Sequence, residues 1–148
     1  WLSLLCLSVL GLRDAESVAA ARSAAIGWAL VGLLRGVPFH AGLRQVHLPA
    51  DLLAAQGANA EDVIHGRKTA SVARVVAIVA VRAGEHLRQA RRHRITREAL
   101  PVLLPASLAD LYLRRRRRAG FDPAHPCLQV SGPLKQWRLF TRAMLRRF

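Results

Sequence analysis

The chain has 148 residues, 52% of them hydrophobic, which is enough to bury the core of one domain. Its two cysteines, Cys6 and Cys127, lie far apart, and the absence of any Cys-x-x-Cys excludes a disulfide framework and a cysteine-held zinc site. The 23 Lys and Arg against 9 Asp and Glu give a formal +14, and residues 82–148 alone carry 16 basic and 4 acidic side chains, a net +12. Such asymmetry points to an acidic partner, an anionic membrane surface or a nucleic acid on the C-terminal side.

The opening run, Trp1 to Leu10, is apolar but has no basic leader, and Gly11-Leu12-Arg13-Asp14 reads as a helix end rather than a cleavage site. It is expected to be a core helix of a chain that extends further upstream, making residues 1–148 the C-terminal part of a larger domain. The apolar stretches 24–34 and 70–81 are shorter than the roughly 20 residues that a membrane span needs, so no transmembrane helix is expected.

Asp14-Ala15-Glu16-Ser17 supplies an N-cap and first-turn carboxylates for a long Ala-rich helix to about Leu34. Ile26, Ala29, Leu30, Leu33 and Leu34 define its expected inner face, and Gly27 and Gly32 leave room for a close neighbour. Pro38 is expected to stop the helix, with Gly36 already weakening the last turn, and a loop follows to Pro49. Ala50 starts a short helix ended by Gly57, and Asn59 caps another through His65.

A second long helix is expected from Thr69 or Ser71 to about His93, with Val72, Val75, Val76, Val79 and Leu87 buried. Its β-branched residues are poor helix formers, so packing must hold it. Thr96 caps the next helix, whose core face is Leu103, Leu104, Leu108, Leu111 and Tyr112, and Gly120-Phe121-Asp122-Pro123 ends it. Residues 124–133 read as a loop, and 134–148 as an amphipathic helix with Trp137, Phe140 and Leu145 facing in. No strand periodicity persists, so the fold class is all-α.

Two histidine pairs, His40 with His47 and His86 with His93, are each seven apart. Neither has a third ligand nearby; a hydrogen-bonding loop role is preferred for the first pair and a surface position for the second. The run Arg114-Arg115-Arg116-Arg117-Arg118 wraps every face of a helix and marks an exposed end. With Arg91, Arg92 and Arg94 it forms a candidate anion-binding surface for acidic headgroups or a protein partner. The eight aromatics do not interleave with these cations, which disfavours nucleic acid.

The stretch Ala25-Ile26-Gly27-Trp28-Ala29-Leu30-Val31-Gly32-Leu33-Leu34-Arg35, followed by a polar loop and Leu48-Pro49, resembles the squalene/phytoene synthase family. The resemblance implies an all-α isoprenoid-synthase fold in which this helix ends in Asn-x-x-Arg-Asp-x-x-x-Asp, two aspartates on one face that hold Mg²⁺ against a prenyl diphosphate. Arg35 matches the family arginine, but Gly36 and His40 stand where the aspartates would, and His47 stands where the loop has tyrosine. Neither replacement restores a hard carboxylate, so diphosphate ionisation by this half is not expected and no metal or other cofactor is assigned to it.

The departures themselves are Leu34-Arg35, Pro38-Phe39-His40, Leu48-Pro49-Ala50-Asp51-Leu52, Gly57, Phe121-Asp122-Pro123-Ala124-His125-Pro126 and Trp137. In this order they resemble a narrower branch of the family that serves in assembly of respiratory complex I, the NADH dehydrogenase. The resemblance implies a non-catalytic protein whose partners are complex I subunits or assembly factors. Its place would be the membrane surface, on the cytoplasmic side in an α-proteobacterium or in the mitochondrial matrix of a eukaryote. The alternative is a working prenyl transferase, acting on farnesyl or geranylgeranyl diphosphate with Mg²⁺ held by an upstream aspartate motif.

Overall fold

The computed structural model describes residues 1–123, 125, 130–145 and 148, and among them there are helices and no strand. In chain order these are α1 (Leu2–Val9), α2 (Ala15–Gly42), α3 (Ala50–Ala55), α4 (Ala60–Ile64), α5 (Ala70–Ala90), a 3₁₀ turn (Arg97–Ala99), α6 (Leu100–Arg118) and α7 (Gly132–Met144). Three of the expected caps form: Asp14 accepts from the Ser17 N–H at 2.7 Å, Asn59 from Glu61 and Thr69 from Val72, whereas the Thr96 side chain makes no cap bond and α6 starts only at Leu100, after the 3₁₀ turn.

Helix α2 is the spine, with α5 and α6 laid against it. Its buried residues are Ser17, Ala20, Ala21, Ser23, Ala24, Gly27, Val31, Leu34, Val37 and Ala41. This is a stripe of small residues that swells into branched ones. The face therefore lies to one side of the expected one: Leu34 is on it, but Ile26 and Ala29 are exposed. The reason is that small residues let α5 approach closely, and close approach buries more surface than a bulky rim would. At Gly27 an added Cβ would stand 2.9 Å from the Leu87 side chain and 3.1 Å from the Ala83 carbonyl oxygen, whereas Gly32 faces open space.

The core has two parts on this spine. One gathers Leu7, the alanines of α2, Leu87 of α5, and Leu103, Ala109 and Tyr112 of α6. The other gathers Leu34, Val37, Leu48, Leu53 and Val63 around Val72, Val75, Val76 and Val79 of α5, so the β-branched helix is held by packing as expected. Leu30 and Leu113 touch both.

Helix α2 does not stop at Pro38; it runs on to Gly42. A proline inside a helix removes one N–H and orphans the carbonyl four residues earlier, here that of Leu34. The Arg116 guanidinium, 3% exposed, donates to this oxygen at 2.7 Å, which lets the helix continue. The longer helix passes the length and composition test for crossing a membrane, contrary to the expectation from its apolar stretch alone. Nearly half of its apolar window is nonetheless buried in the fold, as befits the spine of the bundle.

Helix α7 corrects another expectation: Trp137, Phe140 and Leu145 do not face in but are 66%, 59% and 66% exposed. What docks α7 on α6 is the opposite side, where half-buried Leu139 meets the core and Arg138 donates to the Ser107 carbonyl at 2.8 Å. Helix α1 is likewise a surface helix with Leu7 alone buried.

Candidate functional site

The C-terminal turns of α2 carry the residues that the sequence singles out. Arg35 turns towards α6, where its guanidinium carbon lies 4.3 Å from the Tyr112 ring centroid and 6.0 Å from that of Trp28. A planar cation over two aromatic faces is stabilised by their quadrupoles, so Arg35 is held in a fixed direction.

One turn on, the His40 ring lies back across Gly36. A Cβ at Gly36 would fall 2.9 Å from His40 Cδ2 and 3.0 Å from Nε2. The absent side chain at one position is therefore the space occupied by the imidazole of the other. His47 completes the arrangement, its ring centroid 4.2 Å from that of His40 at an edge-on angle, and the Phe39 ring also meets His40 edge-on at 5.4 Å. The loop thus brings His40 and His47 together, as Leu48 is buried in the core and half-buried Pro49 starts α3. Phe39 and Pro38 remain exposed.

This donor set is two imidazoles without an accompanying carboxylate. Among the described residues no three of His, Cys, Asp and Glu come together in a way that could hold a metal. Mg²⁺ takes hard oxygen ligands, and the side chains at 36, 40 and 47 supply none.

The comparisons with known proteins bear on the same stretch. Residues 2–142 match the family described as squalene/phytoene synthase. The chain belongs to the squalene/phytoene synthase family. It is similar to NADH dehydrogenase (ubiquinone) complex I, assembly factor 6 of Rattus norvegicus, with 33% identity over 97% of this chain and 44% of that protein. It also resembles the Homo sapiens protein of that name, with 30% identity over 94% of this chain and 42% of that protein. The Drosophila melanogaster homolog is 30% identical over 99% of this chain and 45% of that protein. The chain thus spans less than half the length of the curated relatives it matches. No solved structure matches it.

Within this squalene/phytoene synthase scaffold the arginines expected to form one anionic-surface patch divide into different roles. Arg116 is the clearest correction. It is buried, donating to the carbonyls of Leu34 and Asp122, because the orphaned oxygen in α2 needs a long donor from outside the helix. Arg91 is bidentate to Asp110 at 2.7 and 3.4 Å and donates to the Phe148 carbonyl at 3.0 Å. Arg92, Arg94, Arg114, Arg117 and Arg118 are exposed, and Arg115 is half-buried. The Phe121-Asp122-Pro123 turn is held from below by Lys68, 2.7 Å from the Asp122 carboxylate, while Pro123 is buried. Ala124 and Pro126 of that motif, and Cys127, lie outside the described residues.

Three features were not found from the sequence. His93, expected at the surface, is tied to Glu16 at 3.0 Å, and the Arg94 backbone N–H donates to the same carboxylate at 3.2 Å. These bonds hold the Glu16 carboxyl below its ordinary range, the hydrogen bond to His93 contributing most. Asp110 is shared by Arg91 and, at 3.9 Å, by Arg138. Burial, followed by the neighbouring Arg142 cation, pushes the Arg138 guanidinium below its usual value. Finally, Arg88 lines a cleft with Arg91, Arg114 and Arg117.

Proposed function

We propose that this protein is a non-catalytic member of the squalene/phytoene synthase family that works in the assembly of respiratory complex I at a membrane surface. The observation that carries the reading is the His40 ring laid across Gly36. Where a synthase of this family would place two metal-binding carboxylates, the helix here is closed by an imidazole packed on a bare backbone. The relatives named for complex I assembly support the same reading, since their similarity covers 94–99% of this chain.

Complex I subunits or other assembly factors are the proposed partners, met at the cytoplasmic face of a bacterial membrane or the matrix side of the mitochondrial inner membrane. The exposed arginines give this protein a positive surface that anionic lipids attract.

The test is removal of the gene followed by native gel analysis of complex I. Loss of the mature complex, restored by the wild-type protein and equally by a Gly36→Ala/His40→Ala variant, is the expected result. Mg²⁺-dependent condensation of farnesyl or geranylgeranyl diphosphate by the pure full-length protein would overturn the reading in favour of a working prenyl transferase.

A further inference from the structure

Helices α5 and α6 meet along a cleft of about 350 Å³. Gly84 and Arg88 of α5 and Arg91 at its C-cap recur at helical spacing, and on α6 so do Asp110, Leu113, Arg114 and Arg117, so one face of each helix turns to the other. Four guanidiniums therefore converge on a space that contains one carboxylate. Asp110 is taken up by Arg91. Among the described residues the guanidiniums of Arg88, Arg114 and Arg117 make no ion pair or hydrogen bond.

Two further features make this a site rather than a solvated face. Gly84 lies in its wall, where an added Cβ would make ordinary van der Waals contact with Arg88 Nη1 at 3.6 Å and Leu113 Cδ1 at 4.0 Å. Its lining also includes apolar Ala80, Leu113 and Phe121, with exposed Val81. Phe121 is placed there by an unusual backbone, φ +61°, directly after Gly120 at the same φ.

We infer that the α5–α6 cleft binds a phosphate group borne by an amphiphile, with Arg88, Arg114 and Arg117 on the phosphate and Leu113 and Phe121 against the adjoining carbons. Guanidinium forks match phosphate oxygens in bidentate pairs, and the cleft has the volume of a single headgroup. The site deepens the membrane-surface part of the proposed function. Its test runs on soluble ligands, so failure here leaves the assembly reading standing and failure of assembly leaves the site standing.

The experiment is calorimetric titration of the full-length protein with three probes: dihexanoyl phosphatidic acid as monomer, inorganic phosphate, and zwitterionic dihexanoyl phosphatidylcholine. Saturable one-to-one binding of phosphatidic acid, tighter than phosphate and absent for phosphatidylcholine, is expected. An Arg88→Gln/Arg117→Gln variant should lose about tenfold in affinity, while Arg92→Gln/Arg118→Gln, equal in charge but outside the cleft, should lose less than about twofold. Gly84→Leu, which fills the cleft without altering charge, should weaken the lipid as much as the first pair does. Inorganic phosphate bound as tightly as the lipid would keep the phosphate site and assign it to a free anion. Equal losses from the two arginine pairs, or no saturable binding of either phosphate probe, would overturn the proposal.

Discussion

Arg116 of α6 caps the carbonyl of Leu34, 82 residues away in the chain, through a buried hydrogen bond of 2.7 Å. Its acceptor is free because Pro38 has no N–H to offer it. The proline and the arginine form one device, and the device carries α2 past the proline to the turns that hold His40.

The first prediction is a thermodynamic cycle on that device. Arg116→Met should destabilise the fold by about 2–3 kcal/mol, because a buried carbonyl loses its partner. In a Pro38→Ala background the residue 38 N–H can serve Leu34, and the cost of Arg116→Met should fall by about 1 kcal/mol or more. Chemical denaturation of the four proteins measures the coupling, and strict additivity would refute it.

Gly36 and His40 should be coupled with a change of sign. Alanine is ordinarily favoured over glycine inside a helix by about 1 kcal/mol. Here the new Cβ would press on the His40 ring, so Gly36→Ala should lower the thermal midpoint in the wild type. With His40→Ala already present the same change should raise it.

The two glycines of α2 that the sequence treats alike should respond in opposite ways. Gly27→Ala meets Leu87 and the Ala83 carbonyl and is expected to cost about 1–3 kcal/mol as overpacking. Gly32→Ala meets nothing within 4 Å and should stabilise by up to about 1 kcal/mol. Urea midpoints at constant slope would separate them.

Acid should release the clamp between the start of α2 and the end of α5. Glu16 is held below its ordinary value by His93 and by the Arg94 N–H. A lowered carboxylate adds stability that is fully present above its ordinary pKa and is lost as pH falls through the lowered value. Glu16→Gln should therefore melt earlier than wild type at pH 6–7, with the gap closing in acid as the wild-type carboxylate becomes protonated. A gap that stayed constant down to pH 3 would show that the bond to His93 contributes nothing through charge.

Much of the local structure was legible in the chain. The caps at Asp14, Asn59 and Thr69, the valine face of α5 and the end of α6 at Gly120 depend on neighbours within a few residues, and they form as read. The inner face of α2 was misread because bulky residues weigh more than alanines in a periodicity, although alanines allow the closer approach. Helix α7 was misread in the same way: its apolar side is plain in the sequence, but which side meets the bundle was decided by Arg138 and Leu139 finding α6.

At the candidate site the chain alone was enough for the identities of Gly36 and His40, since residue identity needs no coordinates; that they stand where the family has two aspartates is what the resemblance implies. Periodicity and capping likewise sufficed for the all-α class, because they act over one or two turns. Three things had to wait for the tertiary structure: that His40 fills the gap over Gly36, that Arg116 is a buried cap while Arg114 and Arg117 are not, and that Arg88 shares a cleft with them. Five successive arginines are chemically identical. Only the packing of α6 against α2 and α5 settles which one meets an orphaned carbonyl and which two face a cleft.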